Sequence, residues 1–89
     1  MAEKMEQPVL PEVTFSTFVL SLASSALVHL GEVPNPETGS TARDEALARN
    51  AIDLLTMLDD KTRNGLNPEE SKLMRDVLYE LRMKFVAHS

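Results

Sequence analysis

Residues 13–31, with the sequence VTFSTFVLSLASSALVHLG, form the stretch that decides the fold. They lie between Glu12 and Glu32 and carry no formal charge, although 26% of the side chains in this 89-residue chain are charged. On a helical wheel their apolar side chains cover an arc of about 200°, roughly twice the apolar stripe of an ordinary surface helix. We therefore predict that other helices pack against the first helix on most of its sides. The apolar arc contains Phe15, Phe18, Val19, Leu20, Leu22, Ala23, Ala26, Leu27 and Leu30.

This helix is expected to begin at Thr14 or Ser16, either of which can cap it, and to end at Leu30. Gly31 follows, and glycine accepts the left-handed conformation that ends many helices. The stretch has about the length of a membrane span, but seven of its nineteen residues are Ser, Thr or His, and no Lys or Arg flanks it to set an orientation. We expect burial in a helical assembly rather than a membrane span.

The opposite side of the first helix carries small side chains that let another helix approach closely. We predict that it is one part of an oligomer interface. Its members are Thr17, Ser21, Ser24 and Ser25, with Val28 among them.

Two further helices are predicted. The second runs from Ala42, with Thr41 as its cap, to about Thr62, after a loop at residues 31–40 that contains two prolines. Its apolar side consists of Leu47, Ala48, Ala51, Ile52, Leu54, Leu55 and Leu58.

The third helix has the clearest start, because Asn67 can cap it, Pro68 suits the first position and Glu70 can complete a capping box. It is expected to end near Ala87. Its main apolar stripe is Leu73, Met74, Val77, Leu78, Leu81 and Phe85, and a smaller stripe nearly opposite is Tyr79, Met83 and Val86. Two stripes indicate two partners, so we add the smaller stripe to the candidate oligomer interface.

The expected architecture is an all-α domain at residues 14–87, preceded by a flexible N-terminal arm at residues 1–13. The short break at residues 63–66 predicts that the second and third helices form an antiparallel hairpin, with the first helix packed across it. The broad apolar arc and the second stripe predict a homo-oligomeric helical bundle, with a dimer as the first expectation and a tetramer as the alternative.

Composition excludes several classes of function. The chain has no Cys, which excludes disulfides and thiol chemistry. Because disulfides are rare in the cytoplasm, the absence of Cys also leads us to expect a bacterial, cytoplasmic location. A net charge of −5 without a basic patch argues against nucleic-acid binding. Asp53, Asp59 and Asp60 do not converge on a helix as an acid–base pair or a metal site. We therefore expect no catalytic residues, no metal and no cofactor.

Three blocks of the sequence resemble a bacterial family of short proteins, domain of unknown function 1844. They are FSTFVLSLASSALVHLGEVPNPETG, ARNAIDLLTMLDDKT and LNPEESKLMRDVLYELRMKFV, and the likeness covers roughly Val13 to Val86. The resemblance implies a small helical bacterial protein, and it brings no established activity, catalytic residue or ligand residue with it.

Three functional hypotheses follow. The first is a non-enzymatic interaction or scaffold module that binds itself and can bind another protein. The second is a binder of a small molecule or lipid tail, with an apolar cavity lined by Phe15, Phe18, Met74 and Phe85. The third is an enzyme subunit with a site near His29 and the 31–40 loop, against the simpler interpretation that His29 is a half-buried ring bonded to backbone carbonyls.

Overall fold

The computed structural model describes residues 10–87, and these residues form three α-helices and no strand. The helices are α1 (Phe15–His29), α2 (Glu45–Lys61) and α3 (Pro68–Ala87). Each helix contacts the other two. The all-α prediction and the number of main helices are confirmed. Most of the predicted N-terminal arm, residues 1–9, lies outside the described residues.

The predicted ends of α1 are confirmed. Thr14 caps the helix: its hydroxyl accepts a hydrogen bond from the Thr17 N–H at 3.0 Å, and its own N–H donates to Thr17 Oγ1 at 2.9 Å. These reciprocal bonds form a capping box. At the other end Leu30 is the C-cap, and Gly31 follows it with a φ of 78°.

The predicted start of α2 at Ala42, with Thr41 as its cap, is wrong by three residues. Asp44 is the cap, and its carboxylate accepts a hydrogen bond from the Leu47 N–H at 3.0 Å. The Asp44 N–H donates to the His29 carbonyl at 2.8 Å. This bond ties the start of α2 to the end of α1 and holds Asp44 in an extended conformation, so the helix begins only after it.

The start of α3 is as predicted. Asn67 Oδ1 accepts from the Glu70 N–H at 2.8 Å, while Glu70 Oε1 accepts from the Asn67 N–H at 3.0 Å. The break before it contains Asn64, whose φ is 71°.

The core is entirely apolar among the described residues, and all three helices contribute to it. Its four alanines lie on α1 and α2, which lets these two helices pack closely, whereas α3 supplies larger side chains. The buried residues are Val19, Ala23, Ala26, Leu30, Ala48, Ala51, Ile52, Leu55, Met74, Leu78 and Leu81.

The buried arcs of α1 and α2 are narrower than the sequence predicts. Leu47 and Leu54, assigned to the buried side of α2, are 47% and 41% exposed, because α1 and α3 cover only the side that carries the buried alanines, Ile52 and Leu55. On α1, Phe18 and Leu20 are 49% and 48% exposed. Within residues 10–87 of one chain, α2 and α3 are the two helices that can cover α1. They do not cover most of its sides, as the sequence analysis expected neighbours to do.

Candidate functional site

The smaller stripe of α3 lies on the surface of the chain. Tyr79, Met83 and Val86 are 67%, 55% and 70% exposed, and none of them belongs to the core. We call these three residues the α3 stripe. Clustered apolar side chains of this size on a surface mark interaction sites more often than isolated ones do.

An open groove of about 770 Å³ lies beside the α3 stripe, between the end of α2 and the outer side of α3. The α3 stripe borders it, together with Leu66 and Leu78. Arg63, Arg75 and Arg82 also line it, with Asp59 as the one carboxylate. The groove is therefore apolar with a basic edge, although the chain as a whole is acidic.

The three arginines of the groove have different partners. Arg63 pairs with Asp60 at 2.7 Å, and Arg82 Nη2 donates to Thr56 Oγ1 at 2.9 Å. Arg75 makes no ion pair or side-chain hydrogen bond within residues 10–87. Arg75 therefore differs from Arg63 and Arg82, whose side chains have partners of their own.

The carboxylate of Asp76, next to Arg75 in the sequence, pairs with a lysine on the same helix. Asp76 accepts a hydrogen bond from Lys72 Nζ at 2.7 Å. That bond, with the positive charges of Lys72 and Arg75, lowers the pKa of Asp76 below its ordinary value.

The predicted interface side of α1 is divided between two roles. Thr17 uses its hydroxyl locally, since Thr17 Oγ1 donates to the Glu12 carbonyl at 2.7 Å and serves the capping box. Ser21, Ser24 and Ser25 are exposed and Val28 is half-buried. The serines therefore remain available to a neighbouring molecule.

His29 and the 31–40 loop come together, as the third hypothesis requires. They line an open depression of about 320 Å³. Its residues from α1 are Ser24, Ser25, Val28 and His29, and its residues from the loop are Asn35, Pro36 and Glu37. The bond from His29 to the start of α2 is made by its carbonyl, which accepts from the Asp44 N–H at 2.8 Å, and not by its ring. Within residues 10–87 no hydrogen bond joins a serine hydroxyl to the imidazole.

The four residues assigned to the apolar cavity of the second hypothesis lie in different surroundings. Met74 is 1% exposed in the core, and Phe15 and Phe85 pack against that core, whereas Phe18 is half exposed. Phe85 also lies under two guanidinium groups, with Arg43 and Arg49 at 5.6 and 5.2 Å from the ring centroid. The four side chains are divided between the core and the surface.

The groove is the feature that the sequence analysis missed. The spacing of Arg75, Tyr79 and Arg82 indicates only the α3 wall of the groove, where two arginines lie beside an apolar stripe on one helix. The connection between α2 and α3 adds Arg63 and Leu66 to the groove. Their position there depends on how the two helices pack, which no local sequence pattern indicates.

Residues 10–87 contain neither a membrane-spanning helix nor a cluster of metal-binding side chains. No helix there is long and apolar enough to cross a bilayer. In residues 10–87 no three His, Asp or Glu side chains are placed to hold a metal ion.

Comparison with curated proteins and with solved structures gave no significant match. One family model, described as a domain of unknown function (DUF1844), matches residues 12–87, which include all three helices, the groove and the depression. The chain therefore belongs to the DUF1844 family.

Proposed function

We propose that this protein is a non-enzymatic, homo-oligomeric interaction module. The observation that carries the proposal is the α3 stripe, which exposes three large apolar side chains beside an apolar groove. Exposed apolar surface of this kind is stabilised when a partner removes it from water, at roughly 25 cal/mol per Å². The assembled surface can in turn bind another protein, as a scaffold does.

The proposed architecture is an antiparallel hairpin of α2 and α3, with α1 packed across it. Two long-range contacts support this arrangement. Arg43, just before α2, donates to the Phe85 carbonyl near the end of α3 at 3.3 Å, while Thr56, late in α2, contacts Arg82, earlier in α3.

Two of the exposed faces account for the two expected oligomeric states. The α3 stripe is one, and the side of α1 that carries Ser21, Ser24 and Ser25 is the other. A symmetric contact through one face gives a dimer, and use of both faces with perpendicular twofold axes gives a tetramer. We place this assembly in a bacterial cytoplasm, which the absence of Cys supports.

A second candidate function, the binding of a lipid tail or small apolar molecule, is favoured by the size of the groove. Its volume of about 770 Å³ is within the range of ligand sites. Native mass spectrometry of protein purified from its host tests this function. A retained ligand supports it, and a ligand-free oligomer contradicts it.

A pair of matched variants tests the leading proposal. Met83→Glu places a charge on the α3 stripe and should shift the chain to monomer in sedimentation equilibrium. Val33→Glu makes a comparable apolar-to-acidic change at a position 36% exposed in the loop and should leave the oligomer intact. Unchanged association of Met83→Glu, with helicity preserved by circular dichroism, would remove the α3 stripe from the interface.

A further inference from the structure

We propose that the second copy docks in parallel, with the α3 stripe packed against the same stripe of the partner subunit and Arg75 paired with Glu80 of the partner subunit. This inference rests on the proposed function and gives it an orientation and a register. The occupant of the α3 stripe is thus a second copy of the same chain.

The spacing of the α3 stripe is that of a short coiled-coil seam. Asp76, Tyr79, Met83 and Val86 follow one another at intervals of three, four and three residues. This is the a–d spacing at which two helices pack side chain against side chain. With Tyr79 and Val86 at d positions, Glu80 occupies an e position, and Arg75 and Arg82 occupy g positions.

The two flanks of the seam carry opposite charge. The flank beside the groove has Arg75 and Arg82, and the other flank has Glu80. In a parallel pair each g flank meets the partner's e flank five residues further on, so Arg75 meets the partner's Glu80, and symmetry makes this contact twice. In an antiparallel pair like flanks meet and the arginines face one another. Charge complementarity therefore selects the parallel pair.

Both members of the proposed ion pair are accessible. Arg75 is exposed and, within residues 10–87, has no ion pair. The Glu80 side chain is 62% exposed, and its contact to Lys84 is long, at 3.9 Å. Neither side chain needs to leave a strong partner before it can meet the second copy.

The remaining features of the surface fit the same arrangement. Asp76 lies at the N-terminal edge of the seam, and its carboxylate is already paired with Lys72 at 2.7 Å, which limits repulsion between the two copies there. The partner's Glu80 approaches the basic edge of the groove. A standard interface covers about 800 Å² on each partner, more than three side chains provide, so the groove walls supply the remaining contact.

Disulfide crosslinking tests the orientation directly, because the chain has no Cys of its own. Tyr79→Cys and Val86→Cys are made separately in the full chain. Positions seven residues apart on a helix are separated by about 10 Å along its axis, and a disulfide requires Cα atoms about 4.4–6.8 Å apart. A parallel pair predicts that each variant crosslinks to its own copy. In an antiparallel pair at most one of the two variants can crosslink to its own copy. Crosslinking of only one variant, or of neither, would overturn the inference.

Charge reversal tests the ion pair. Arg75→Glu and Glu80→Arg should each raise the dimer dissociation constant about tenfold, because each converts two attractive contacts into repulsive ones. The double variant should return it to within about threefold of the starting value. A dimer in which the double variant is no tighter than the single ones contradicts the register and leaves the proposed function standing. A monomeric wild-type chain overturns both.

Discussion

Leu54 and Leu55 are adjacent residues with the same side chain and opposite surroundings. Leu55 is 0% exposed in the centre of the core, and Leu54 is 41% exposed on the outer side of α2. Helical periodicity placed both on one broad apolar side of α2. Periodicity shows which residues share that side, but not which of them a neighbouring helix covers. The position of α1 and α3 against α2 decides which part of the side is covered.

This pair gives a prediction about stability. Leu55→Ala should lower the free energy of unfolding by about 2–5 kcal/mol, since it removes buried contacts and leaves a cavity. Leu54→Ala should lower it by less than about 1 kcal/mol. Urea unfolding at one protein concentration measures both, and equal losses would contradict the position of the core.

A second prediction concerns Asp76, whose pKa is lowered by the hydrogen bond from Lys72 and by the nearby positive charges. A lowered pKa in the folded state means that the pair stabilises the fold above the ordinary Asp pKa, and that this contribution is lost as the pH falls through the lowered value. Lys72→Gln should raise the pKa of Asp76 toward its ordinary value in a carboxyl NMR titration. Lys84→Gln, which removes a lysine that contacts Glu80 and Glu32 instead, should leave it unchanged. If the two variants gave the same pKa, the pair with Lys72 would be absent.

At the scale of the elements, local sequence signals predict a helix end correctly when its cap uses nearby residues. A hydrogen bond to a residue far along the chain can move the end away from the predicted position. The caps of α1 and α3 use side chains three residues away, Thr17 and Glu70, so the sequence pattern alone could predict them. The start of α2 depends on the bond from the Asp44 N–H to the His29 carbonyl, fifteen residues earlier in the chain. No pattern around Thr41 and Ala42 contains that information.

Gly31 gives a prediction at this scale, because it forms the turn between α1 and the segment leading to α2. Its φ is 78°, and an added Cβ would lie 3.5 Å from the Arg43 nitrogen. Gly31→Ala should destabilise the fold by about 1–2 kcal/mol through the left-handed backbone. Gly65→Ala, at a glycine without a positive φ, should change stability by less than about 1 kcal/mol. Thermal or urea unfolding that ranks them in the reverse order would contradict the turn at Gly31.

At the scale of the whole molecule, a thin core lies beneath a surface that still exposes several large apolar side chains. The α3 stripe was predictable, because a second apolar stripe on one helix appears in the residue spacing. The groove beside it was not, because it depends on how the end of α2 and the loop around Leu66 lie against α3. Both features support the proposal that a second copy of the chain covers the α3 stripe.

The most direct test of that central claim is the mass of the unmodified 89-residue chain in solution, measured by light scattering over a range of micromolar concentrations. We predict a species of twice the 9.9 kDa chain mass, or four times that mass if both faces are used. A mass of 9.9 kDa at every concentration would contradict the account.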